Sequence, residues 1–356
     1  MKRLIFKNLM LGIVWVITST YCLSRPDYEE KKQVNKTYQI TAVTKVSFTN
    51  SFGMLHVNTW DKNELQVNVL ITVRSSNEDR AKEMLDRIRI DIDDASPAAA
   101  ITFKTVISSS RMSGNNSMQI DYTVNMPKNN TLDLRNSFGD CYLADYSGPL
   151  TINESYGNLK TETLSGNSDI DLSFGSGTSN IAGIKSGQLK VGYSTLGIGS
   201  AGSVDLNSQF SNLTVDKISG TTLVAKYGQV DFGEVGAMDA TVNFSSFGIR
   251  KLNNRLKLDI SYAGKTDIEN ISSEIQSIAI TSSFGPVSLD LPSGLNANIH
   301  VATEFGNLNY NESKVNFNKI HEGTTSKDYE GRIGNGSSSV LIQVNEKYGD
   351  VKINQD

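Results

Sequence analysis

A chain of 356 residues with a formal net charge of −4 and 20% charged residues lacks the basic face of a nucleic-acid binder. Its charge balance also excludes a disordered acidic tail protein. Two Cys rule out a disulfide scaffold, and three scattered His argue against a histidine-rich metal site. Twenty-nine Gly against six Pro point instead to many short strands joined by tight turns.

The first residues read as an address. Lys2, Arg3 and Lys7 precede an apolar run from Leu9 to Ile17, and polar Thr18, Ser19 and Thr20 follow. The run undershoots the ~20 residues of a membrane span, so residues 1–24 are expected to be a cleaved secretory signal. An uncleaved anchor is the alternative. Lipidation at Cys22 is a further one, disfavoured by the bulky Tyr21 before it. No later segment is apolar over a spanning length. Residues 25–35, including Arg25, Asp27, Glu29, Glu30, Lys31 and Lys32, are expected to form a charged linker.

From residue 36 the pattern alternates. Val46 and Phe48, Leu55 and Val57, then Leu65, Val67, Val69 and Ile71 recur at period two, as in half-buried strands. One helix is expected: Ser75, Ser76 or Asn77 caps it, Glu78 and Asp79 fill its first turn, and Ala81, Met84, Leu85 and Ile88 follow at helical spacing. Alternation resumes at Ile88, Ile90 and Ile92, at Ile101 and Phe103, and at Ile120, Tyr122, Val124 and Met126. Residues 36–127 therefore read as a β-rich module with one short α-helix.

Residues 128–356 are a repeat. An aromatic residue, usually followed by Gly, recurs at Phe138, Tyr156, Phe174, Tyr193, Phe210, Tyr227, Phe247, Tyr262, Phe284 and Phe305. The step is about 18 residues, with a double period of about 36. The same landmark stands at Phe52-Gly53 and Tyr348-Gly349. Apolar residues fall three and five places later, as in Leu55/Val57, Cys141/Leu143, Leu213/Val215 and Val351/Ile353, while Phe174, Phe247 and Tyr262 depart from this spacing. Strands that short cannot stand alone; stacking them pairs each with its equivalents and buries one continuous column. The expected fold is all-β: a β-solenoid of stacked coils of ~18 or ~36 residues behind the N-terminal module. An antiparallel sandwich is the alternative.

The segments Leu65–Ile71 and Ala81–Ile88, the run Asp121 to Pro127 and the run Leu132 to Gly139 together resemble the putative-adhesin family of bacterial exported β-solenoid proteins, of Bacteroidetes-like type with an auto-transporter-adhesin-head-like domain. The closing stretch from Gly331 to Gly336, followed by Tyr348 to Val351, is similar to the end of such members. The resemblance covers nearly all of 36–356 and implies an envelope-associated solenoid. It carries over no binding residues.

Chemistry is sparse. His56 and His300 are each flanked by apolar strand residues and should face solvent, and Cys141 takes an inward position filled elsewhere by Leu or Val. Gly197, Gly199 and Gly202 mimic a dinucleotide loop without the helix it needs. The weak candidate is an acidic wall, Asp133, Asp171 and Asp205, each between two apolar residues, which could hold Ca²⁺ or act as a carboxylate pair on a polysaccharide. Their offsets from the aromatic landmark differ, which favours plain outward polar positions. The aromatic row is either an exposed platform for sugar rings or a stacking ladder, buried or wedged at a corner beside Gly, that keeps register, and its pairing with Gly favours the ladder. No catalytic residue, cofactor or metal is assigned. The expected role is non-enzymatic recognition of an envelope or extracellular protein or glycan at the periplasm, outer membrane or cell surface, with self-association left open. A polysaccharide lyase or hydrolase on a β-helix, and a periplasmic accessory of envelope-stress signalling, are the other readings.

Overall fold

A computed structural model describes residues 28–108 and 116–355. The expected signal 1–24, with Cys22, lies outside the described residues. Among those described, the chain is almost entirely β, with one helix, Glu78–Asp86. Asn77 caps that helix, its side chain accepting from the Arg80 N–H at 2.9 Å. No described helix is long and apolar enough to cross a membrane.

The repeat becomes a column of parallel layers. Leu150–Ser155 lies parallel on Thr131–Ser137, with Ile152 beside Leu134. Leu159–Ser173 pairs in turn with Leu150–Ser155, then Thr178–Gly192, Thr195–Gln209 and the long Asn212–Ser261 follow in parallel register. Ile152 meets Ile170, Ile170 meets Leu189, and Leu189 meets Leu206, so each layer advances by about 18 residues and not 36. Alternation within each strand turns every second side chain inward, and these residues join a single buried cluster running from Ile40 to Ile353. Truncating one of them, such as Leu206, removes contacts to the layers on both sides.

Two features depart from the expected boundaries. Residues 28–35 are not a spacer: Tyr28–Gln39 pairs antiparallel with Glu64–Ser75 over its whole length. This is an edge strand in which only Val34 and Tyr38 pack on the core, so its apolar pattern is too thin to read as alternation. Tyr38 is fixed by donating its hydroxyl to Asp94 at 2.8 Å. Nor does the core break at 127/128. Val46 and Phe48 pair beside Leu132 and Leu134, and Leu55 and Val57 beside Cys141 and Leu143. Residues 45–60 thus form a layer of the column, and Ala100–Ile107 and Ser117–Pro127 from the following segment lie parallel on its other side.

The far end is ordered differently in space and in sequence. Leu341–Lys347 lies between Ser277–Ser283 and Ala297–Glu304, parallel to both. Val351–Gln355 likewise lies between Val287–Leu291 and Leu308–Tyr310. Ser326–Ile333 then pairs antiparallel with Ala297–Glu304 and with Val315–Glu322, closing the end with a hairpin.

Candidate binding ridge

Each layer turns a corner at its aromatic landmark, and twelve rings meet there in one stack. In spatial order they are Phe52, Phe138, Tyr156, Phe174, Tyr193, Phe210, Tyr227, Phe244, Tyr262, Phe284, Tyr348 and Phe305. Neighbouring centroids are 4.7–5.1 Å apart and the planes lie within 13° of parallel. The stack is on the order of 50 Å long, set by the strand spacing. The rings stack as a ladder at the corner and are half-exposed rather than buried: exposure runs from 37% at Phe52 to 53% at Tyr193. Their faces cover one another and their edges face solvent.

The ring at 244 corrects the sequence pattern. Phe244 stacks between Tyr227 and Tyr262, whereas Phe247 is buried at 2% exposure. The Gly after Phe247 made it look like the landmark. Counted from Phe244, however, Phe247 and Ile249 occupy the inward positions three and five places on, the signal that identifies the true corner.

All twelve rings sit on left-handed backbone, with φ from 50° to 64°. For a non-Gly residue this costs about 1–2 kcal/mol each. A stacked aromatic pair contributes about 0.5–1.5 kcal/mol beyond area burial, so strain and stacking are of similar size. Glycine would avoid the strain altogether. After some of the rings glycine is required: a Cβ at Gly157 would fall 1.8 Å from the Gly139 carbonyl oxygen, and one at Gly139 would fall 2.1 Å from that of Gly53. Throughout the ridge this following position holds only Gly, Ser or Ala, and six of the preceding residues are Ser. Every ring is thus followed by a small residue, while Gln209, Lys226, Asn243, Glu304 and Lys347 precede five of them. Near one end an open groove of ≈ 650 Å³ runs against Phe284, Phe305 and Tyr348.

Beneath the corner, the inward residue two places before each ring is polar at both ends of the column. Asn136 donates to the Gly139 carbonyl at 2.8 Å and to Glu154 Oε1 at 3.4 Å. Burial pushes the Glu154 carboxyl up to about 9, with Asp140 adding to the shift and Asn136 opposing it. At the other end Ser282, Glu346 and Thr303 occupy consecutive layers, each at most 4% exposed. Burial pushes Glu346 up to about 7. Both carboxyls are thus held toward their neutral, hydrogen-bond-donating form.

The acidic candidates do not converge. Asp133 lies between Ser47 and Thr151, Asp171 between Asn153 and Lys190, and Asp205 between Gln188 and Thr222. Asp133 is paired with Arg135 at 3.1 Å. Each has neutral or basic neighbours above and below, so like charges do not accumulate. Cys141 is buried as its position implied, and desolvation, with Glu154 and Asp140 nearby, raises its thiol well above the usual range. His56 lies over Tyr142 with centroids 4.5 Å apart. Sequence reasoning did not find the grouping of His300, Asp328 and Glu330, whose ligand atoms lie within 4.8 Å of one another. Strand pairing creates it, setting His300 opposite Glu330. His300 Nε2 is 2.8 Å from Asp328 Oδ2, and Lys319 holds both Glu330 oxygens at 3.0 Å. These polar groups satisfy one another.

No family model matches the chain, and no curated protein does. Solved structures show distant likenesses. A protein of Clostridium sporogenes described as a putative cell adhesion protein is 11% identical, with 92% of this chain and 100% of that one covered and a TM-score of 0.19. A putative lipid binding protein of Parabacteroides distasonis is 13% identical over 90% and 96%, with a TM-score of 0.29. A putative adhesin of the same organism is 9% identical over 90% and 97%, with a TM-score of 0.32. These names describe those proteins, and no residue role is carried from them.

Proposed function

We propose that this chain is an exported, non-enzymatic protein of the cell envelope, built as a β-solenoid with one repeat per coil, that recognises a protein or glycan in the manner of an adhesin. Support for the solenoid comes from the parallel pairing of successive repeats and the single apolar column inside them. Support for export comes from the charged, apolar and polar segments of residues 1–24.

The observation that carries the binding role is the ridge. Twelve half-exposed rings are retained on strained backbone where glycine would relieve the strain, and their stacking only matches the cost. What the rings add over glycine is the surface they present. Repeated along a rigid scaffold, weak contacts would sum to avidity, each layer contributing the same small increment.

Unbiased capture of envelope polymers, glycans and extracellular proteins on the purified full chain tests this. A saturable partner is expected, lost when Phe210 and Tyr227 are both replaced by Gly, which suits the left-handed backbone. Capture of no saturable partner, or one indifferent to that double variant, overturns it. Protease shaving of intact cells then separates a periplasmic from a surface location.

A further inference from the structure

The order of Phe and Tyr along the ridge holds more than stacking needs. From Phe138 to Phe305, eleven consecutive rings alternate without exception. Sequence order would break the alternation, because Phe305 follows Phe284. Space restores it, because Tyr348 arrives from a later strand and enters between them, 4.7 Å from Phe284 and 4.9 Å from Phe305. Alternation is not required to build the stack: Phe52 and Phe138 are both Phe and stack at 5.1 Å and 8°. The hydroxyls are the difference between the two kinds of ring, and at Tyr193, Tyr227 and Tyr262 they make no hydrogen bond to any described residue. They stand on every second layer, about 10 Å apart, twice the strand spacing.

We infer that the ridge binds an extended β-1,4-linked glycan lying along it, with each disaccharide in register with one Tyr–Phe pair. This rests on the recognition role proposed above and names its ligand class. In such a chain each sugar is flipped relative to the last, so the structure repeats every second residue, over the length of two pyranose rings. That matches the hydroxyl period of the ridge. The chemistry of the exposed surface agrees. Stacking hides the electron-rich ring faces and leaves the electropositive edges outward, which suits the oxygens of a glycan better than an aliphatic chain. The Gly, Ser or Ala that follows every ring leaves room on that side for a polymer to lie flat. α-1,4-Linked and β-1,3-linked chains coil and do not offer the same straight two-residue repeat.

The test is depletion of the purified full chain onto cellulose and chitin, with starch and a β-1,3-glucan as controls, followed by titration with β-1,4-linked oligosaccharides of increasing length. Cellulose against chitin decides whether the N-acetyl group is read. Expected is binding to at least one β-1,4 polymer in preference to both controls, tightening in steps of two sugars. The triple variant Tyr193→Phe, Tyr227→Phe, Tyr262→Phe keeps every ring and is expected to fold as the parent and bind at least tenfold more weakly. A second variant, Tyr193→Phe with Phe210→Tyr, keeps composition but moves one hydroxyl out of phase, and is expected to weaken binding as well. Binding to neither β-1,4 polymer, equal binding to the controls, or unchanged affinity in the triple variant overturns the inference. Should the ridge then still hold another saturable partner, lost in the Phe210→Gly, Tyr227→Gly protein, the broader recognition role stands without it.

Discussion

Tyr348 lies flat against Phe284, centroids 4.7 Å apart, although the strands carrying them are separated in the chain by a whole further layer and a hairpin. The last repeat in the sequence is therefore the penultimate one in space. The chain closes by inserting its end into the column, so its final strands are paired on both sides rather than left as an edge.

Substitution of Gly157 by Ala is expected to destabilise the protein by about 3 kcal/mol or more, because the new Cβ would lie 1.8 Å from a backbone oxygen that the next layer holds in place. At Gly220 an added methyl would meet nothing within 4 Å, and Gly220→Ala should stay within about 0.5 kcal/mol of the parent. Urea unfolding of both variants measures the contrast.

Strain and stacking at the ridge can be separated. Tyr227→Ala keeps the left-handed strain at φ 58° and loses the ring, whereas Tyr227→Gly loses the ring and the strain together. The Gly variant is expected to be more stable than the Ala variant by about 1 kcal/mol, read from thermal or chemical denaturation.

Glu154 sets a pH dependence. Its folded carboxyl titrates at about 9 against an ordinary value of 4.5, so the folded state holds a proton that the unfolded state releases. Stability therefore falls as pH rises between those two values and levels off above them. Glu346, pushed up to about 7, acts in the same direction over a narrower window. Glu154→Gln keeps the shape of the neutral acid and is expected to shrink the loss between pH 5 and pH 8 by at least about 1 kcal/mol. An unchanged pH profile in that variant would falsify the assignment.

Cys141, buried at 1% exposure with its thiol held protonated, should not react with thiol reagents in the native Cys22→Ser protein and should react once denaturant opens the column. Labelling followed by mass measurement distinguishes the two states.

Sequence alone determined the local rules: a β-rich chain, a short helix beginning near Asn77, an aromatic landmark recurring at about 18 residues with the coil left at one or two repeats, and the inward positions such as Cys141 and Leu143. These depend on period-two alternation and on turn chemistry, which are written within a few residues of each other. Tertiary structure decided what depends on which segment lies beside which. It moved the corner from Phe247 to Phe244, made residues 28–35 an edge strand, and placed residues 45–60 in the column. It also brought Tyr348 between Phe284 and Phe305, so that alternating hydroxyls run along one exposed line. A ring's exposure and its neighbour in a stack are set by the register of strands distant in the chain, and no local pattern encodes that.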